Sequence, residues 1–172
     1  MKIFSRILTT SLAIGAAGCF TPPDYSPVPE IEFNSITKFE TTNAFLQVKQ
    51  DSVVITLKFK DGDGDLGESQ QGREDTKYKD WGNYELKTFK LNKQTKQFEE
   101  IILPANAKIF FPMLKPDGKR GPIEGLLDYS SLFPYSRNAQ MATLKFRIRL
   151  RDRALNNSNV VESDTISIPL LN

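Results

Sequence analysis

Three aspartates alternate with glycine where one apolar run ends, as Asp61-Gly62-Asp63-Gly64-Asp65, with Leu66-Gly67 following. Carboxylates this close repel one another, so they need a cation, a neighbouring Lys or Arg, or full solvation. If the segment is extended, the alternation puts all three on one side. A ligand set made only of oxygens suits Ca2+. A helix-loop-helix calcium loop is excluded, because its glycine position holds Leu66 and its glutamate position holds Gly72. Two readings stay open: a looser calcium site in a loop, or a solvated acidic turn paired with Lys60, Arg73 or Arg153. A second polar element, Asp152-Arg153-Ala154-Leu155-Asn156-Asn157-Ser158-Asn159, closes a later apolar run. Asp152 and the side chain of Asn156 are candidates to complete the calcium shell. The alternative for Asp152 is a turn residue that caps its own backbone.

Cys19 is the other residue with chemistry of its own. A basic start with Lys2 and Arg6 leads into an uncharged apolar run over 7–17, and Ala16-Ala17-Gly18 precede the only cysteine. This is the pattern of a secretory signal peptide ending as a bacterial lipobox does, although lipoboxes most often carry Leu where Ala16 stands. The run is too short to span a bilayer as a stable helix. The expectation is cleavage before Cys19, removal of 1–18 as signal peptide, and lipid on the Cys19 sulfur. A secreted, unlipidated product is the alternative. The protein is therefore expected in the cell envelope, lipid-anchored, at the outer membrane. Residues 19–30 contain Pro22, Pro23, Pro27 and Pro29 and read as an extended tether. Its last eleven residues reach about 34 Å in polyproline geometry.

Residues 31–172 must then form the domain that positions the aspartates. Val53, Ile55, Leu57 and Phe59 alternate with polar or smaller neighbours, and Leu144, Phe146, Ile148 and Leu150 alternate with Lys145, Arg147, Arg149 and Arg151. Period-two alternation marks strands with one buried face. Leu57, Phe59, Phe146 and Ile148 are expected to face inward from opposing sheets. Weaker strand signals fall at 31–39, 44–48, 83–91, 98–103, 109–114, 123–129 and 160–170, with 92–97 as a polar hairpin connection. Residues 67–80 read as a surface loop, and 104–140 as irregular structure around one or two strands. Seven to nine short strands without a helical stripe predict an all-β, immunoglobulin-like antiparallel sandwich. In that fold the loops after the second and sixth strands share one end. With 53–60 as second strand and 143–151 as sixth, Asp61 and Asp152 approach each other.

Composition removes several functions. The chain has no histidine and one cysteine, which excludes histidine-dependent triads, histidine-ligated metals, thiol catalysis and disulfides. Without the leader, 21 of the 23 basic residues face 21 acidic ones, so nucleic-acid binding loses its electrostatic basis. Lys145, Arg147, Arg149 and Arg151 form a stripe, read as a solvated face paired with acids or as a site for anionic polysaccharide or lipid headgroups. Tyr78, Trp81 and Tyr84 are candidates for stacking on sugars, with Trp81 alternatively in the core.

The lipobox, the DGDGDLG segment 61–67 and the D-R-A-x-N-x-S segment 152–158 together resemble Bacteroidetes-type outer-membrane lipoproteins with an immunoglobulin-like domain. Leu155 departs from that pattern, where glycine is usual. The resemblance implies fold and location, not activity. The expected function is a membrane-anchored, non-catalytic binding or assembly module for a protein or glycan partner, stabilised by calcium. The alternative is an accessory envelope hydrolase using carboxylates.

Overall fold

The computed structural model describes residues 23–103, 108–117, 119–135 and 137–171. The signal segment, Cys19 and the first residues of the tether lie outside them. The strands are β1 (Glu30–Thr42), β2 (Lys49–Asp61), β3 (Tyr84–Leu91), β4 (Phe98–Ile101), β5 (Ile123–Pro134), β6 (Ala139–Leu150), β7 (Val161–Glu162) and β8 (Ile166–Leu171). One antiparallel sheet has the order β1-β2-β5. The other has β4-β3-β6, with β7 and then β8 pairing along the far side of β6. The two sheets pack against each other as an all-β antiparallel sandwich. No α-helix occurs among the described residues, and none there is long and apolar enough to cross a membrane.

Alternation explains the core. Val53, Ile55, Leu57 and Phe59 of β2 meet Leu144, Phe146, Ile148 and Leu150 of β6, each at most 7% exposed. The inward set expected from sequence is therefore the observed one. Antiparallel pairing then fixes two poles. The turns after β1, β3 and β5 lie at one. The ends of β2 and β6 and the starts of β1, β3 and β5 lie at the other.

Several expectations needed correction. Residues 44–48 are the β1–β2 turn, not a strand: the Asn43 side chain accepts the backbone N–H groups of Phe45 and Leu46, and Phe45 is left 95% exposed. Residues 109–114 form a single bridge, Tyr84 with Ile109, rather than a strand. The Asn83 side chain brackets Phe111 instead, donating to its carbonyl and accepting its N–H. The 160–170 run splits into β7 and β8, because the Ser163 hydroxyl replaces a ladder partner for the Phe146 N–H. Residues 67–80 carry two 3-10 turns (Gly72–Glu74 and Thr76–Tyr78) and bury Glu68 and Tyr78, whose hydroxyl donates to Glu68 at 2.9 Å. Tyr78 and Tyr84 are both at most 2% exposed, which removes them as sugar platforms. Trp81 is partly buried, covered by the Arg151 guanidinium at 4.0 Å and Arg149 at 5.0 Å.

Candidate metal centre

The pole formed by the ends of β2 and β6 gathers the polar motifs. Asp61 is the last residue of β2 and is fully buried. One of its oxygens, Oδ2, accepts the Asp65 N–H at 2.9 Å. That bond folds the chain back after β2 instead of letting it run on extended. Gly64 and Gly67 take φ of +72° and +89°, and backbone of the neighbouring segments lies where a Cβ would stand. Leu66 between them is fully buried in the core, and its carbonyl accepts the Leu114 N–H. The loop is thus pinned at Asp61 and Leu66, and the side chains of Asp63 and Asp65 are turned toward Asp61. The aspartates converge because the chain curls, not because it is extended.

One oxygen from each of Asp61, Asp63 and Asp65 lies within 4.8 Å of the other two. The Oδ1 atom of each is buried and lacks a hydrogen-bond partner. No lysine or arginine among the described residues forms an ion pair with any of the three. Lys60 stands over the Tyr25 ring, Arg73 over Phe110, and Arg153 donates to the Gly67 carbonyl. Burial first, then Asp63 and Asp65, push the Asp61 carboxyl up to about 6. Asp65 is raised by burial, with Asp152 and Asp63 adding repulsion. A buried carboxylate oxygen without a partner is costly; Asp61 is fully buried, and Asp63 and Asp65, partly exposed, each add one such oxygen.

Three carboxylate oxygens this close can share one cation. A ligand set made only of oxygens suits Ca2+, whose coordination geometry is flexible, whereas Mg2+ demands a strict octahedron.

Asp152 comes to the same pole, as expected from the second and sixth strands, and is 1% exposed. Burial raises its carboxyl, and Asp63 adds to that, but Asn156 opposes the rise through two hydrogen bonds. The Asn156 backbone N–H donates to Oδ1 at 2.7 Å and its side-chain amide to Oδ2 at 2.9 Å. Both Asp152 oxygens therefore have partners, and the residue stands beside the three-carboxylate group as a turn cap. The rest of its loop joins the sheets. Ser158 and Leu150 exchange hydrogen bonds, and the Asn159 side chain accepts from the Ile31 N–H and donates to the Ile31 carbonyl, both at 2.8 Å. Sequence reading missed this inter-sheet clamp. Its only signal was a polar run rich in Asn and Ser.

The basic stripe on β6 is matched. Lys145 and Arg147 pair with Glu162, and Arg149 pairs with Glu85. Arg151 donates to the carbonyls of Trp81 and Gly82 and lies between the rings of Trp81 and Tyr78. Each of the four cations also covers an aromatic ring. The stripe is a cation–π ladder binding β6 to its neighbours. Near the aspartates, residues 24–26 pack on Gly62: the Gly62 N–H donates to the Ser26 carbonyl at 2.8 Å, and the Tyr25 hydroxyl to Glu124 at 2.8 Å. Set against protein-family descriptions, curated proteins and solved structures, the chain matches none of them.

Proposed function

We propose that this protein is a calcium-stabilised, non-catalytic binding module of the bacterial cell envelope, anchored by lipid on Cys19. The calcium part is carried by the convergence of one carboxylate oxygen from each of Asp61, Asp63 and Asp65 within 4.8 Å, in residues that each keep a buried Oδ1 without a hydrogen-bond partner. A solvated acidic turn, the competing reading, needs exposed or paired carboxylates. Asp61 is neither. Calcium would supply the missing positive charge and hold the β2-end loop against the core; Asp152 and Arg153 lie alongside. The hydrolase alternative fits the geometry less well. Glycosidase carboxylates stand about 5–9.5 Å apart across an accessible substrate, whereas these share one point and Asp61 has no exposed surface.

Calorimetric titration with millimolar CaCl2 tests the site, since loop sites outside the cytosol bind at about 10⁻⁴ to 10⁻³ M. Wild type should give a saturable heat of one equivalent that Asp63→Asn abolishes, and MgCl2 should give less. A flat wild-type titration would reject the calcium reading. For the anchor, Cys19→Ala should move the protein from the membrane fraction to the soluble one, because acyl burial contributes about 0.8 kcal/mol per CH2. Unchanged pelleting of that variant would reject lipidation.

A further inference from the structure

A cleft of about 330 Å³ opens beside the aspartates, lined by Asp63 and Asp65 on one side and by Lys119, Arg120 and Arg153 on the other. We propose that, with calcium bound, this cleft takes the phosphate of an anionic lipid headgroup. The inference rests on the calcium reading above and names the ligand class for the same pole.

The site is more than a cluster of acids, because Asp61 is 0% exposed, keeps a buried oxygen without a partner, and brings a carboxylate oxygen within 4.8 Å of those of Asp63 and Asp65. Asp61 forms the buried back of the group, whereas Asp63 and Asp65 belong both to the group and to the cleft wall. Ca2+ takes six to eight oxygens. Three carboxylates do not fill that shell, so the remaining positions open toward the cleft. Lys119 and Arg120 are exposed there and form no ion pair with a described residue. Asp117, on the same loop, accepts the Lys119 backbone N–H at 3.2 Å. Arginine's planar fork suits phosphate oxygens.

Charge makes the binding conditional. Asp61, Asp63, Asp65 and Asp152 against Lys119, Arg120 and Arg153 leave one net negative charge without an ion. A bound Ca2+ reverses it to one net positive charge. An anion is repelled from the empty cleft and attracted to the loaded one.

Placement selects the source of the phosphate. Residues 24–26 pack against Gly62, between Asp61 and Asp63. Three residues separate Cys19 from Pro23, four chain steps with a reach of at most about 14 Å. An anchor at Cys19 therefore turns this pole, and not the Phe45 pole, toward the bilayer.

The test uses the full chain carrying Cys19→Ala, so that no acyl chain contributes, sedimented with phosphatidylglycerol or phosphatidylcholine vesicles in millimolar CaCl2 or chelator. Calcium should increase association with phosphatidylglycerol vesicles about tenfold or more and leave phosphatidylcholine unchanged. The double substitution Lys119→Gln and Arg120→Gln should abolish that increase while the calorimetric calcium heat persists. A calcium heat without calcium-dependent vesicle association overturns this inference and leaves the calcium site standing. No calcium heat removes both. If glycerol 1-phosphate tightens calcium binding but vesicles do not associate, the cleft takes a free phosphate ester and the membrane assignment fails.

Discussion

The loops that close β2 and β6 stand side by side at one pole, and they treat their charges in opposite ways. In the β6 loop, Asp152 has a donor on each oxygen, and Ser158 and Asn159 complete backbone pairs with Leu150 and Ile31. In the β2 loop, three carboxylates converge with one oxygen apiece unmatched. The same residue types give a finished structural joint in one and an electrostatic deficit in the other. Buried polar groups are nearly always satisfied in folded proteins. A satisfied set therefore explains itself as architecture, and a deficit asks for a missing partner. Along β6, acids pair with Lys145, Arg147 and Arg149, whereas Arg151 relies on the Trp81 and Gly82 carbonyls and two rings and keeps a buried Nε without a partner.

The sharpest way to break the comparison is to loosen the β2 loop itself. Leu66 is fully buried between Asp65 and Gly67. Leu66→Ala should cost about 2–5 kcal/mol in urea unfolding, by lost transfer and a residual cavity. The loss should appear in chelator and in calcium alike. A cost below about 1 kcal/mol would mean that the loop is not held by the core, and the convergence of the aspartates would lose its cause.

Next comes the ion. At a hundred times its dissociation constant, calcium should stabilise wild type by about 2.7 kcal/mol. Asp61→Asn should erase that gain, yet in chelator it should be neutral or stabilising, because it removes one of three repelling charges. Asp152→Ala should do the reverse: it should cost about 1–2 kcal/mol in both conditions, through the two lost Asn156 bonds. Melting curves of both variants with calcium and with chelator decide it. Equal calcium responses in wild type and Asp61→Asn would erase the distinction between the loops.

The sandwich was legible because period-two alternation over β2 and β6 leaves one arrangement of the core. The shared pole of Asp61 and Asp152 followed from that topology. What sequence reading got wrong had local causes. Phe45 and Leu46 look like strand residues until Asn43 captures their N–H groups. Residues 109–114 are apolar, but the Asn83 side chain stands where a strand would pair. At the site, three aspartates were named from spacing, but their unmatched oxygens depend on a curled loop that spacing does not encode. The cleft cations, Lys119 and Arg120, come from a segment between β4 and β5 that carries no motif.

A pH profile offers a smaller, signed effect. In chelator the folded state holds a proton on Asp61 up to about pH 6, whereas the unfolded chain releases it near 3.8. Stability should then fall as pH rises from about 4 to 6, because the native state binds more protons in that window. Asp65 and Asp152, both raised, act in the same direction. Glu68 and Glu162, held low by hydrogen bonds from Ser69 and Tyr78 and from Lys145 and Arg147, act oppositely below about 4.5. With saturating calcium the 4-to-6 slope should reverse, since the ion binds the deprotonated carboxylates. Chemical denaturation at pH 4.5, 5.5 and 6.5 measures it. The same slope with and without calcium would mean that Asp61 does not ligate.

The smallest effect tests the finished loop. Leu155 has φ of +70° and its side chain is 40% exposed. A left-handed backbone costs an L-residue about 1–2 kcal/mol. Glycine removes that strain but gives back about 0.5–1 kcal/mol in unfolded-chain entropy. Leu155→Gly should therefore stabilise the protein by a few tenths to about 1 kcal/mol, equally with calcium and with chelator. The Leu155 N–H still donates to the Asp152 carbonyl in either variant. A gain that appears only with calcium would show that the β6 loop adjusts to the ion. Asp152 would then belong to the coordination shell after all, and the two loops would form one site rather than a joint beside a site.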